Sequence, residues 1–452
     1  MTEIRCFKAY DVRGRVPEDL DADIAYRIGR AYAQFINPAR VAVGRDIRLT
    51  SPEISAAVIQ GLTDAGVDVV DIGICGTEMV YFATFDLGLD GGIMVTASHN
   101  PPNYNGMKMV RDQAKPISAD TGLEDIRAIA EAGAFADAGK RGKIEERDIS
   151  DAYIAHLLGY VSAAELTPLK IVVNAGNGCA GPIVDRLELH LPFEFIKLDN
   201  EPDGTFPHGV PNPMIEANRT PTIDAVRRSG AALGIAWDGD FDRCFFFDET
   251  GRFIEGYYVV GLLARSFLDK APGSTIVYDP RLTWNTIDIV AAAGGTAAQS
   301  KSGHAFIKQK MRDVDAIYGG EMSAHHYFRD FSYADSGMIP WLLVAEILCR
   351  TGATLASLVE ERMEKFPASG EINRRVDDAG EVERRVEAAY SDGAIEVGHV
   401  DGLSVELSDW RFNLRASNTE PLLRLNVESR GDAELMRKRT AELLELIGGE
   451  PG

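Results

Sequence analysis

Residues 92–108 read GIMVTASHNPPNYNGMK. The run Ile93-Met94-Val95-Thr96 is apolar and β-prone, as a buried strand requires. It stops at Ala97-Ser98-His99-Asn100, and Pro101-Pro102 prevents its continuation, because proline has no amide donor and restricts the residue before it. Ser98 is therefore expected on a tight loop just past a strand end. In open α/β sheets ligands bind at the carboxyl ends of strands. A serine held there can act as a nucleophile or a phosphate carrier, although Ser, Asn and Pro are also ordinary turn residues. A hydrolase triad is not expected: there is no G-x-S-x-G elbow, and Ser98 and His99 are chain neighbours whose side chains tend to diverge.

Around this stretch the chain alternates strands and helices. RVAVGRD (40–46) reads as a short strand ending in polar residues. Thr50-Ser51-Pro52-Glu53 then opens a helix, with Thr50 as N-cap, Glu53 completing a capping box and Pro52 in the first turn. Ile54, Val58 and Leu62 share one face, and Gly66 closes the helix before the strand 67–74. Such alternation predicts a largely parallel sheet. After the strand 170–174 comes Gly176-Asn-Gly178-Cys-Ala-Gly181, a formal G-x-G-x-x-G with Asp199 beyond it. Asn174 and Ala175 precede the first glycine and Pro182 follows the third, which favours a tight structural turn over a dinucleotide site. An Ala/Gly/charge-rich stretch (131–151) and FPASGE (366–371) mark boundaries, and the expected domains are 1–150, 151–252, 253–366 and 367–452.

The 452 residues are 45% hydrophobic and 26% charged, normal for a soluble globular protein of several domains. A net charge of -22 argues against nucleic-acid binding, since phosphate backbones need basic surface, but leaves room for local basic pockets. Cys6, Cys75, Cys179, Cys244 and Cys349 are scattered without a C-x-x-C pair, as expected of reduced cytoplasmic thiols. MTEIRCFKAYD carries charge where a signal peptide needs an apolar core, and no apolar run is long enough to span a membrane. The most apolar stretch, 340–348, contains Glu346 and reads as a core helix.

Three further segments carry candidate chemistry. Asp238-Gly-Asp240-Phe-Asp242-Arg243 follows the strand 233–237. Alternating carboxylates share a side only on extended or looped backbone, and their mutual repulsion calls for a cation. All-oxygen ligation suits Mg2+. A calcium EF-hand fits less well, although Glu249 falls at its last ligand position, because Arg243 stands where that loop needs glycine and both flanks look like strands. Gly319-Gly320-Glu321-Met322-Ser323-Ala324-His325-His326 mixes donors and acceptors after two permissive glycines, as a polyol site needs. Arg415-Ala-Ser417-Asn418-Thr419 gathers a guanidinium, hydroxyls and an amide, as an anion pocket does. Near the N-terminus, FKAYDVRG (7–14) offers Arg13, either an anion holder or, by default, a surface arginine.

TASHNP (96–101), DGDFDR (238–243), GEMSAHHYF (320–328) and RASNTEP (415–421), in this order, resemble the α-D-phosphohexomutase family over the whole chain. The wording of YDPRLTWNTIDIV (278–290) and GGEMSAHHYFRDF (319–331) is most similar to bacterial members acting on mannose phosphates. The resemblance implies an α/β fold of three related α/β/α sandwich domains with mixed sheets, plus a smaller C-terminal α+β domain. It implies a phosphorylated Ser98 and one Mg2+ held by Ser98, Asp238, Asp240 and Asp242. Arg243 and Arg13 would neutralise the transferring phosphoryl group. Lys108 would be the general base, with His304 as a second candidate. Tyr10, Arg281, Glu321, Ser323 and His325 would contact the sugar phosphate, while Arg415, Ser417, Asn418 and Thr419 hold the phosphate that is not reacting.

The implied reaction interconverts mannose 6-phosphate and mannose 1-phosphate, with a hexose 1,6-bisphosphate as activator and GDP-mannose synthesis as its outlet; glucose phosphates are the alternative substrates. Small hexose phosphates are the expected partners, with no nucleic acid and no membrane, for a cytoplasmic monomer or dimer. A metal-dependent phosphatase and a non-catalytic sugar-phosphate binder are the rival classes.

Overall fold

The computed structural model describes residues 3–416 and 422–452, so Ser417, Asn418 and Thr419 lie outside the described residues. The chain forms two compact units: Met1–Phe253 with Asp330–Gly352, and Ile254–Arg329 with Ala353–Gly452.

Alternating apolar strands and helices produce one topology three times. In the first unit the strand Arg40–Arg45 lies between Asp68–Ile74 and Gly91–Val95, both parallel to it, and Tyr104–Arg111 is antiparallel to Gly91–Val95. The same unit repeats the pattern with Lys170–Asn174 between Glu194–Leu198 and Leu233–Trp237, and with Cys244–Phe247 antiparallel to the last. In the second unit Thr275–Tyr278 lies between Thr296–Gln299 and Tyr318–Gly320, and His326–Phe328 is antiparallel. Counting only these four strands along the chain, each sheet runs fourth, third, first, second, and further strands flank them. The sheets are thus mixed, as the resemblance implies, and less parallel than simple alternation predicts. A different architecture follows: Ile372–Arg375, Leu403–Glu406, Trp410–Ala416 and Leu422–Ser429 pair antiparallel throughout.

This repetition positions the candidate chemistry. In each mixed sheet the turn from the third strand into the antiparallel fourth emerges at the carboxyl end of the parallel strands. The Ser98 loop, the loop 238–243 and the loop 321–325 are those three turns.

Two local expectations change. Thr50 has helical backbone angles and makes no side-chain cap, and its hydroxyl accepts instead from Asn105 Nδ2 at 2.9 Å. Pro52 does sit in the first turn of Ser51–Asp64. The stretch 340–348 is buried throughout, inside the helix Ile339–Thr351, as expected. No single helix among the described residues is long and apolar enough to cross a membrane.

The segment leading into Ile339–Thr351 is tied to the first unit by Glu78, from the helix Thr77–Asp86. Its buried carboxylate accepts from Ser336 Oγ at 2.7 Å, from the amides of Gly337 at 2.5 Å and Met338 at 3.3 Å, and from the Tyr153 hydroxyl. The Gly337 carbonyl in turn accepts from Trp237 Nε1 at 2.8 Å. Gly337 must be glycine, because a Cβ there would lie 2.4 Å from the Phe241 carbonyl. Glu78 thus fixes, through Gly337, the backbone against which the loop 238–243 rests.

Burial pushes the Glu78 pKa up to about 8, against its four donors. A carboxyl raised above its unfolded value of 4.5 stabilises the fold fully below that value, and loses the contribution as the pH rises through 8. In melting experiments the advantage of the wild type over Glu78→Gln should therefore be greatest near pH ~5 and shrink towards pH ~9. An advantage that grew with pH would mean that the four donors keep the group ionised throughout.

Candidate active site

The Ser98 loop and the loop 238–243 meet in the first unit. Ser98 adopts a left-handed backbone, φ 47°, and Phe241 another, φ 44°. Such angles cost a non-glycine residue roughly 1–2 kcal/mol, so surrounding contacts must impose them. The carboxylates of Asp238, Asp240 and Asp242 are buried and offer oxygens within 4.8 Å of one another. Ser98 Oγ donates to Asp238 Oδ2 at 2.8 Å. Arg243 Nε reaches the same oxygen at 2.8 Å.

Lys108 Nζ bridges the other two carboxylates, 2.7 Å from Asp240 Oδ2 and 2.5 Å from Asp242 Oδ2. Burial opposes its charge, but the two aspartates outweigh burial and hold the ammonium above the usual lysine range. Asp240 also accepts from Thr77 Oγ1 at 2.6 Å; burial would raise its pKa, and Lys108 with Thr77 brings it well below the ordinary carboxylate range. Asp242 is displaced upwards by burial and by the neighbouring Asp240 charge. One ammonium does not saturate this cluster: among the described residues, Asp240 Oδ1 is buried without a hydrogen-bond donor. Three converging carboxylates with an unused buried oxygen fit a small, hard divalent cation.

Glycines let the two loops approach. A Cβ on Gly239 would lie 2.6 Å from the Ser98 carbonyl. Beneath it, the glycine-rich turn 176–181 supports the same peptide: Cys179 N–H donates to the Gly239 carbonyl at 3.1 Å, and a Cβ on Gly178 would lie 2.8 Å from it. The G-x-G-x-x-G spacing thus serves a structural turn, and its task is to carry the aspartate loop.

Arg13 is not a surface arginine. Its side chain is 15% exposed and pairs with Asp11 at 2.8 Å. Its Nη1 donates to the Ala97 carbonyl and to Asn100 Oδ1, each at 2.6 Å, which places it on the Ser98 loop. His99 overturns another expectation. Its Nδ1 lies 3.1 Å from Ser98 Oγ and contacts the Arg243 guanidinium, because the left-handed turn at Ser98 brings the two neighbouring side chains to the same side. Tyr10 is half-buried in the bend preceding the strand Val12–Arg15.

The second unit holds the remaining candidates. Glu321 accepts from Gly303 N at 2.8 Å, Tyr327 Oη at 2.5 Å and Arg281 Nη2 at 3.4 Å. Ser323 Oγ lies 3.2 Å from Arg281 Nη2 and 3.4 Å from His325 Nδ1. His304 opens the helix His304–Asp313, next to the Gly303 amide bound by Glu321. Arg281, Arg415 and Arg424 converge on one carboxylate, Glu371, at 3.6, 3.3 and 3.4 Å. Burial and then the neighbouring Arg281 lower the Arg415 pKa, and among the described residues its Nε has no acceptor. Arg281 is neutralised mainly by Asp279, at 2.8 Å, so it is Arg415 and Arg424, with Glu371 between them, that leave positive charge suited to a phosphate. Thr77, His99, Glu371 and Arg424 were not singled out by motif, and no local pattern marks Arg424, which lies within the strand Leu422–Ser429.

Each unit carries groups that phosphoryl transfer needs: the first a hydroxyl at a carboxylate cluster with flanking guanidiniums, the second a polar loop and clustered arginines. Comparison with known proteins agrees. Four profiles described as phosphoglucomutase/phosphomannomutase match the chain: alpha/beta/alpha domain I at residues 5–137, domain II at 151–251, domain III at 255–366 and the C-terminal domain at 371–446. A phosphomannomutase of Salmonella montevideo is 60% identical over 454 residues, covering 99% of this chain and 100% of that one. A protein named phosphohexose mutases from Xanthomonas campestris pv. campestris is 59% identical, covering 98% and 99%. The crystal structure of a phosphoglucomutase/phosphomannomutase family protein from Burkholderia thailandensis superposes with a TM-score of 0.88 at 34% identity, covering 100% of this chain and 99% of that one. The chain belongs to the phosphoglucomutase/phosphomannomutase family, the α-D-phosphohexomutases, and is an isomerase of the phosphomutase type.

Gly178→Ala tests the support under the aspartate loop. The added methyl would push the Gly239 peptide, so divalent-cation affinity should fall by about tenfold, as when second-layer contacts of a metal site are disturbed. Calorimetric titration with Mg2+ measures it, and an unchanged affinity would show that the turn bears no load.

Proposed function

We propose that this chain interconverts mannose 6-phosphate and mannose 1-phosphate through a phosphorylated Ser98 and mannose 1,6-bisphosphate. The observation that carries the reading is the contact of Ser98 Oγ with Asp238 inside the three-carboxylate cluster, 2.8 Å. Asp238, Asp240, Asp242 and the Ser98 phosphate would hold one Mg2+, which when bound neutralises charge on the transferring phosphoryl oxygens.

This chain's own residues would do the rest. Arg243 and Arg13 flank Ser98 and would bind the phosphoryl oxygens as negative charge redistributes among them. The sugar O1 attacks in line and its proton must leave. Lys108 is the proposed acceptor. As an ammonium clasped by Asp240 and Asp242 it already holds its proton, so it would accept the sugar proton only after passing its own to one of these carboxylates. The bisphosphate then reverses, and its 6-phosphoryl returns to Ser98. Arg415, with Ser417, Asn418 and Thr419, would hold whichever phosphate is not reacting, in the pocket that Arg281 and Arg424 complete around Glu371.

Glu321, Ser323 and His325 are the proposed sugar contacts, through O3 and O4. Mannose and glucose are identical at those oxygens and differ at C2, so glucose phosphates are the second substrate class supported by this loop. Galactose inverts O4 and would leave a buried acceptor unpaired.

Ser98→Ala should leave the fold intact and abolish turnover, and intact-mass spectrometry should find a single phosphate on the wild type that the variant lacks. Full activity in the variant would sink the assignment. On sugar specificity, mannose 1-phosphate and glucose 1-phosphate should both be converted, and galactose 1-phosphate should be slower by orders of magnitude. Glu321→Ala should depress the two accepted sugars together and narrow the gap to galactose. A loss confined to mannose would mean that the loop reads C2.

A further inference from the structure

Arg48 lies just past the carboxyl end of the strand Arg40–Arg45, beneath the Ser98 loop, and is 1% exposed. Its Nη2 donates to the carbonyls of Ser98 at 2.9 Å and Asn100 at 2.6 Å. Its Nη1 donates to the carbonyls of Pro101 at 2.7 Å and Tyr104 at 3.0 Å. One guanidinium therefore spans the whole turn from Ser98 to Tyr104 by main-chain contacts alone. The Arg48 side chain is itself fixed. Asp46 Oδ2 lies 3.3 Å from its Nε, and Asp46 is oriented by Ser51 Oγ at 2.5 Å and the Arg48 amide at 3.0 Å. The Phe206 ring covers the guanidinium, 5.4 Å from its centroid to Cζ.

The grip bears on the reacting atom. Ser98 is held at φ 47°, its carbonyl accepts from Arg48, and Gly239 of the aspartate loop approaches so closely that a Cβ there would lie 2.6 Å from the same oxygen. Rotation out of the left-handed region would swing Oγ away from Asp238. A lysine could donate to some of these oxygens, but only the planar fork of a guanidinium presents paired donors in a fixed geometry to four at once. Arg48 makes no contact with the carboxylates that receive the cation, Asp238, Asp240 and Asp242, in any hydrogen bond among the described residues.

We propose that Arg48 is a positioning residue for phosphoryl transfer: by clamping four loop carbonyls it keeps Ser98 Oγ aimed at the aspartate cluster without touching substrate. The inference rests on Ser98 being the phosphoryl carrier. Arg48→Lys, which keeps charge and approximate length, should lower kcat by about a hundredfold, the scale of a 1 Å misplacement, while the KM for mannose 6-phosphate stays within about twofold. Arg48→Ala should lose as much, and millimolar guanidinium in the assay should restore at least about tenfold of it, whereas urea should not. A purely structural arginine would give a lower melting temperature with kcat per folded molecule unchanged and no guanidinium rescue.

Arg48→Lys decides the matter if the alanine variant does not fold. Wild-type kcat in a folded Arg48→Lys enzyme that still carries its Ser98 phosphate would overturn the inference alone. A wild type that never carries that phosphate would overturn the carrier reading instead.

Discussion

Three carboxylates held together away from water repel one another, and much of the first unit exists to keep them there. At an effective dielectric near 20, unit charges within 4.8 Å cost roughly 3 kcal/mol or more per pair. Lys108 and Arg243 offset part of that charge directly. The remainder is resisted by shape. Phe241 is wedged between Gly76, where a Cβ would lie 2.2 Å from its ring, and Gly337, which Glu78 and Trp237 hold in place. Gly178 supports the loop from below, and the Ser98 carbonyl meets it from the other side. A cluster so constrained cannot relax by spreading, so a divalent cation relieves it without reorganisation, which is the condition for electrostatic preorganisation.

One topology used three times explains why chemistry of different kinds sits on comparable turns. Each mixed sheet delivers its third-to-fourth-strand turn at the carboxyl end of parallel strands, and the residues on that turn differ: a serine, three aspartates, or Glu321 with Ser323 and His325. In the second unit Asp279 holds Arg281, while Arg415 and Arg424 share Glu371 and keep charge to spare for a phosphate.

Features written in local sequence were readable before the structure. The apolar run stopped by Pro101-Pro102 placed Ser98 on a loop, the alternation of Asp238, Asp240 and Asp242 pointed to carboxylates gathered on one side, and Pro182 marked the glycine motif as a turn. What depended on three-dimensional approach was not readable. Ser98 and His99 converge because of one left-handed residue, which no residue type demanded. Thr50 looked like a cap, but Asn105, distant in sequence, takes its hydroxyl. Arg48 and Glu78 show nothing unusual in their surroundings, since their acceptors and donors come from segments that only folding assembles. The threefold topology is carried by strand order, which leaves no clean repeat in the residues. Arg13, read by default as a surface residue, is half-buried because the neighbouring loop folds onto it.

On the proposed mechanism, Ser98 passes its own phosphoryl group to the sugar and takes one back. Isolated enzyme labelled with 32P at Ser98, mixed with unlabelled mannose 6-phosphate and quenched within the first turnover, tests it directly. The label should leave the protein and appear in mannose 1,6-bisphosphate before any reaches the monophosphates, with little released as inorganic phosphate. Label that remains on Ser98 while mannose 1-phosphate accumulates, or that appears first as inorganic phosphate, would contradict the account.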